Sequence, residues 1–156
     1  MRLKEQLDTT TVGELNVRPP VTISLSATVR DAVVKMRGAG LGCVIVVDDD
    51  QEAVGIFTEA MLRYALNDSA AILDDSLEGQ MAERLPWVLP TDPARDVLDS
   101  MEEFNIRFLA VLDPDHRVIG LTGQKTLVEF IAEAFPHEVL TQDPTGQTVS
   151  QSKEGA

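Results

Sequence analysis

Cysteine is nearly absent from this 156-residue chain, which has one, Cys43. A lone cysteine has no intramolecular partner, so a disulfide framework or a thiolate metal cluster within one chain is excluded. Cys43 opens an apolar run, and its plain reading is a buried structural thiol. A nucleophilic role would need a thiolate-favouring setting with a histidine close in space, and there are two histidines, His116 and His137. Basic residues are few as well: 13 Lys and Arg stand against 26 Asp and Glu, a formal net charge of -13. That balance opposes contact with phosphate backbones and anionic lipid, so neither nucleic acid nor a membrane is expected as a partner. Long hydrophobic runs are also missing. A run such as Cys43 to Val47 is far too short to span a bilayer, and the opening MRLKEQLDTT lacks the apolar core of a signal peptide. The expectation is a soluble, cytoplasmic protein, and with 44% hydrophobic residues it can bury a real core.

What is present is a repeat. Shifted by 65 residues, the sequence aligns with itself without a gap: Arg30-Asp31 falls on Arg95-Asp96, Met36 on Met101, Val46 on Val111, Asp48 on Asp113, Asp50 on Asp115, Gly55 on Gly120 and Leu62 on Leu127. The same succession of local signals recurs at each register. An extended stretch, Val21–Ser24 or Trp87–Leu89, follows prolines 19, 20 and 86. A helix comes next. Thr28 caps the first, with Val29, Ala32, Val33 and Met36 on one face; Asp92 and Pro93 are expected to start the second, with Ala94, Val97, Leu98, Met101 and Phe104 as its stripe.

Two strands joined by an acidic turn then follow, 43–47 and 53–57 in the first unit, 108–112 and 118–121 in the second; their unbroken apolar character predicts burial on both faces. Each unit closes with a helix, carrying Met61, Leu62, Ala65 and Leu66 in the first and Leu127, Val128, Ile131 and Phe135 in the second. The fold class is therefore α/β, with the order strand, helix, strand, strand, helix occurring twice. Residues 1–11 read as an N-terminal extension, 12–67 as the first repeat, 68–76 as a linker, 77–136 as the second repeat and 137–156 as a polar, disordered tail. Ser76 can cap a short helix through Met81 that mirrors one over Val12–Asn16.

The segments VGELN and LEGQM, the helices TVRDAVVKM and PARDVLDSM, and the hairpins VIVVDDDQEAVGI and LAVLDPDHRVIGL, in this order and spacing, resemble a tandem pair of cystathionine-β-synthase (CBS) repeats, also called a Bateman module. The resemblance implies two repeats about a pseudo-two-fold axis, clefts that hold adenine nucleotides or related ligands such as AMP, ADP, ATP or S-adenosylmethionine, and pairing into a homodimer through helices. It also implies a ligand motif after the last strand: glycine, two apolar residues, Ser or Thr, two free positions, then Asp. The hydroxyl would cap the helix and meet a phosphate, and the Asp would accept from ribose hydroxyls.

Here the first unit reads Gly55-Ile56-Phe57-Thr58-Glu59-Ala60-Met61, keeping the hydroxyl but placing Met61 where the acid belongs. The second reads Gly120-Leu121-Thr122-Gly123-Gln124-Lys125-Thr126, with Gly123 for the hydroxyl and Thr126 for the acid. The candidate ligand residues are thus Thr58, Gly123, Lys125 and Thr126, with Arg107 at a strand start and Ile23 and Val88 from the short opening strands. Each has a plainer alternative: Thr58 as a helix cap, Gly123 as a flexible capping residue, Arg107 and Lys125 as solvated charges. The acidic turn Asp48-Asp49-Asp50 offers oxygens to a hard cation but lacks the spacing of a ligand loop, so it reads as a solvated hairpin turn. Nothing assembles a nucleophile, base and orienting group, so an enzyme is not expected. The expectation is a regulatory module signalling through its dimer or a regulated partner protein, the alternative being a degenerate pair that serves as an interaction module without nucleotide.

Overall fold

Short β-branched and aliphatic runs between turn-forming residues dictate the strands, and capped amphipathic segments dictate the helices. In the computed structural model, which describes residues 2–82 and 85–135, the elements are α1 (Arg2–Thr9), β1 (Thr22–Ser24), α2 (Val29–Ala39), β2 (Cys43–Val47), β3 (Ala53–Thr58), α3 (Glu59–Asp68), β4 (Trp87–Val88), α4 (Ala94–Phe104), β5 (Phe108–Leu112), β6 (Val118–Gly123) and α5 (Gln124–Ala134). Strand, helix, strand, strand, helix thus occurs twice. The tail expected from 137 onward lies outside the described residues.

Each repeat builds a three-stranded sheet, in which the first strand runs parallel to the second and the second antiparallel to the third. The registers match across the repeat: Thr22 faces Ile45 as Trp87 faces Ala110, and the hairpins are bulged at equivalent places, between Val46 and Val47 and between Val111 and Leu112. The acidic turns explain one of the repeat identities, Asp48 on Asp113. One carboxylate oxygen of Asp48 accepts from the Asp50 and Glu52 amides at 2.9 and 3.0 Å, and Asp113 does the same for Asp115 and Arg117 at 2.9 Å each. This fixes a tight loop through Gln51 and His116 at φ 65° and 66°.

Thr28 caps α2 as expected, in a reciprocal pair with Asp31 at 3.1 Å in each direction. The start of α4 departs from expectation. Pro93 is the N-cap instead of the first helical residue, and Asp92 turns its carboxylate back to the Leu89 amide at 2.8 Å. Asp96, at the position of Asp31, then faces a proline with no N–H to offer. Burial within its turn, with Asp92 and Asp99 nearby, holds the Asp96 carboxyl above its ordinary range.

Both faces of each sheet are covered. One face of each lies under its helices, around Val44, Val46 and Phe57 in the first repeat and Leu109 and Val111 in the second. The other faces meet each other, with Cys43, Ile45 and Ile56 against Ala110, Leu112 and Leu121. This is why β2 is buried along its whole length. Leu66 and Val128, expected on the core faces of α3 and α5, are instead 41% and 60% exposed. The buried stripe of α5 runs through Leu127 and Phe130, one position of roughly 100° away from Val128.

The leading segments cross over. Leu7 of α1 and Val12 and Leu15 after it complete the core of the second repeat, while Ile72 and Leu77 complete that of the first. The Val12 amide donates to the Asp92 carbonyl at 2.8 Å, and the Leu77 amide to the Ala27 carbonyl at 2.9 Å, both positions being displaced by 65. The hairpin glycines make room for these strands: a Cβ on Gly55 would lie 2.4 Å from the Ala82 carbonyl oxygen, and one on Gly120 2.3 Å from Val17. Glu52 and Arg117, themselves 65 apart, bridge one another and mark the pseudo-two-fold axis.

Candidate ligand site

The two strand-to-helix junctions are built differently. At the first, Thr58 is the N-cap of α3 and its hydroxyl accepts from the Met61 amide at 3.3 Å, while the Glu59 amide donates to the Gly42 carbonyl at 3.0 Å. Two of the first three helix amides are therefore satisfied by the protein. The Met61 side chain is half-buried and packs against both the helix-covered core and the core between the sheets. The position at which the resemblance implies an acid is thus occupied by a packing residue.

At the second junction Gly123 is the N-cap of α5 and supplies no side chain. Contact, rather than flexibility, demands glycine here: its backbone lies at φ 155°, and a Cβ would sit 2.0 Å from the Arg107 carbonyl oxygen. That same carbonyl accepts from the Gln124 amide at 3.1 Å. Arg107, Gly123, Lys125 and Thr126 are in this way gathered around one helix start. The Arg107 and Lys125 side chains are exposed, and among the described residues neither enters an ion pair. A lysine in the first helical turn sits against the positive end of the helix dipole, an arrangement that an anion relieves. Thr126 is 2% exposed, so its side chain is not open to solvent.

The other candidates stand apart from this group. Thr58 belongs to the opposite repeat. Ile23 and Val88 point into the two helix-covered cores. Ile23 also borders an open depression of about 510 Å³ with Ser24, Asp31, Lys35 and Asp48, at the hairpin end of the first sheet and away from Thr58, which pairs with Cys43 at the other end. Among the described residues no cluster of three or more His, Cys, Asp or Glu side chains is placed to hold a metal ion. Cys43 is buried, and that burial, with Glu59 nearby, pushes its thiol up to about 12, the reverse of thiolate activation.

Three features had no signal in the sequence. Arg18 pairs with Glu129 of α5 at 2.7 Å, and its backbone exchanges two 2.9 Å hydrogen bonds with Leu121. Trp87 meets His116 edge to face with ring centres 5.1 Å apart. Thr122 buries a hydroxyl that has no hydrogen-bond partner among the described residues. The first two arise from contacts between segments remote in sequence.

The geometry of two sheets sharing one core agrees with the comparisons. The CBS-domain family model matches twice, over residues 12–68 and 76–133. The chain belongs to the CBS-domain family. Its CBS pair superposes on that of protein MJ0100, solved in complex with 5'-methylthioadenosine and S-adenosyl-L-methionine, with a TM-score of 0.72 at 21% identity, covering 80% of this chain and 98% of that one. It matches a CBS-domain protein of Pyrobaculum aerophilum, solved with AMP, with a TM-score of 0.69 at 23% identity, covering 85% and 96%. These likenesses establish the fold. An uncharacterized protein of Chlamydia muridarum is 39% identical over 111 residues, 67% of this chain and 33% of its own length. The chain spans 20% to 33% of the length of the first four curated relatives. Among the described residues no helix is long and apolar enough to cross a membrane.

Proposed function

We propose that this CBS pair is a cytoplasmic regulatory module without catalytic activity, which binds an adenosine-type ligand at the junction of β6 and α5 and signals through a homodimer or a partner protein. What supports this reading is the second junction, where the start of α5 has no side-chain cap, Lys125 lies in its first turn and the Arg107 carbonyl accepts from the Gln124 amide. Such a site suits the phosphates of AMP, ADP or ATP, or the carboxylate of S-adenosylmethionine. The adenine-ligand complexes of the two structural neighbours support the same class of ligand. Occupancy becomes a signal only if the ligand prefers one of two arrangements of the repeats.

Calorimetric titration with AMP, ADP, ATP and S-adenosylmethionine tests this. Binding of at least one is expected, weakened about tenfold or more by Lys125→Ala, as befits loss of a charge-assisted bond of roughly 1.5–3 kcal/mol. Thr58→Val is expected to leave affinity within about threefold, because the Thr58 hydroxyl already serves Met61. No binding by any of the four at millimolar concentration would overturn the sensor reading. A second reading, an interaction module with degenerate clefts, draws on Met61, whose packing in two cores occupies the acid's position in the first repeat.

A further inference from the structure

The depression at the hairpin end of the first sheet shares no residue with the junction of β6 and α5. Its volume of about 510 Å³ falls within the range of small-molecule sites, and both signs of charge line it, Lys35 together with Asp31, Asp48 and Asp49. The lining departs from the repeat. Displaced by 65 residues, Thr22 and Gln51 become Trp87 and His116, whose rings meet edge to face with centres 5.1 Å apart. Two flexible polar residues therefore stand in the first repeat where the second has packed rings. Lys35 becomes Ser100 and Asp49 becomes Pro114, so these two charges also belong to the first repeat alone. Asp31 and Asp48, which hold the helix cap and the hairpin turn, are kept as Asp96 and Asp113. What differs between the repeats at this place is thus the room and the free charge, while the acids that build the backbone stay.

Among the described residues neither Lys35 nor Asp49 has a side-chain hydrogen bond or ion pair. Asp31 gives one carboxylate oxygen to the Thr28 amide at 3.1 Å, and Asp48 gives one to the Asp50 and Glu52 amides, so each keeps a second oxygen for a ligand. These carboxylates form no cluster that holds a metal ion, a spread that suits separate organic cations. We propose that the depression binds a diamino acid, with its ammonium groups on the carboxylates and its carboxylate on Lys35. Three acids against one ammonium favour a ligand with more cationic than anionic groups, and Lys35 calls for one anion. The proposal is independent of the adenosine-type ligand, whose junction lies in the other repeat.

Calorimetric titration of the full chain with free lysine, ornithine and arginine tests this. Norleucine, which lacks the second cation, and cadaverine, which lacks the carboxylate, are the controls. At least one diamino acid is expected to bind, and both controls about tenfold more weakly or worse, as befits loss of a charge-assisted bond. Lys35→Met and Asp49→Asn are each expected to weaken binding about tenfold. Thr22→Trp/Gln51→His, which installs the aromatic pair of the second repeat, is expected to abolish it. Lys125→Ala should leave it within about threefold, because that residue lies at the other site. Circular dichroism of each variant verifies the fold; Lys35 and Asp49 are exposed. No binding by any of the three at millimolar concentration would overturn the proposal, as would binding that both Lys35→Met and Asp49→Asn retain. Cadaverine binding as tightly as lysine would overturn the assignment of an amino acid.

Discussion

Replacing Gly123 by alanine tests how the second junction is built. The backbone at φ 155° and ψ −149° lies where only glycine is at ease, a conformation that costs other residues about 1–3 kcal/mol. The added methyl would sit 2.0 Å from the Arg107 carbonyl oxygen and 3.2 Å from the Phe108 Cα, against an ordinary contact of about 3.5 Å. Relief requires β5 and the start of α5 to part by more than an ångström, which breaks the bond from the Gln124 amide to Arg107, worth about 1 kcal/mol. The loss should be at least about 3 kcal/mol, and at roughly 2–4 °C per kcal/mol for a chain of this size the melting temperature should fall by about 6–12 °C. Thermal and urea denaturation followed by circular dichroism measure it. Gly38→Ala is the control: it lies inside α2 with open space around it, and should gain up to about 1 kcal/mol from helix propensity. If Gly123→Ala unfolds within about 1 kcal/mol of the parent, the contact is not what selects glycine. The consequence for function is specific. A hydroxyl cannot be restored at 123 without rebuilding the junction, so the anion site proposed above has no hydroxyl from position 123 to draw on.

Three further outcomes are expected. Thr122→Val removes an unpartnered buried hydroxyl at nearly constant volume and should stabilise by about 1–2 kcal/mol in urea denaturation; a loss of stability would mean the hydroxyl has a partner. The Cys43 thiol is raised from 9.0 to about 12 in the folded chain, so below pH 9 it is protonated in both states and above it only the unfolded chain ionises; its contribution of about 4 kcal/mol should be lost between pH 9 and 12. Cys43→Ala should flatten that alkaline limb, and identical limbs would refute the burial argument. A double-mutant cycle with Arg18→Ala and Glu129→Ala should give a coupling of about 0.5–1 kcal/mol, the pair being 31% exposed on each side; zero coupling would mean that the crossing strand is held by its backbone alone.

Much of the fold was legible because local chemistry and the repeat agreed. Thr28 and Asp31 announce a cap, the acidic turns announce a hairpin, and β2 reads as apolar throughout because sheets cover it from both sides. Legibility failed where the repeats solve one packing problem with different residues. In the first repeat the sheet supplies Phe57 and the helix Ala65; in the second, at equivalent positions, the sheet supplies Thr122 and the helix Phe130. Volume has moved from strand to helix, so position-by-position comparison finds two mismatches where packing finds one conserved sum. A swap also occurs at the junctions: Thr58 stands where the second repeat has Gly123, and Gly42 where it has Arg107, while the Gly42 and Arg107 carbonyls accept from the Glu59 and Gln124 amides at equivalent positions. Within the candidate site, residue types could be read from the motif. The contact that excludes a side chain at 123 and the packing of Met61 could not, since both depend on neighbours remote in sequence.

The crossing of the leading segments bears on how such a module can signal. The second repeat lacks a closed core until Leu7, Val12 and Leu15 arrive from the start of the chain, and the first lacks one until Ile72 and Leu77 arrive from between the repeats. Neither half can then be treated as an independent folding unit, because each keeps part of its core in a segment anchored to the other. Arg18 sits where this matters most: its backbone is laced to Leu121, two residues before Gly123, and its side chain holds Glu129 on α5. A shift of β6 and α5 around a bound anion would draw directly on that strand, and through Pro19 and Pro20, whose φ angles are restricted, on β1 of the opposite repeat. Coupling between the repeats therefore needs no long chain of side-chain contacts, because the covalent backbone already joins the site in one half to the sheet of the other.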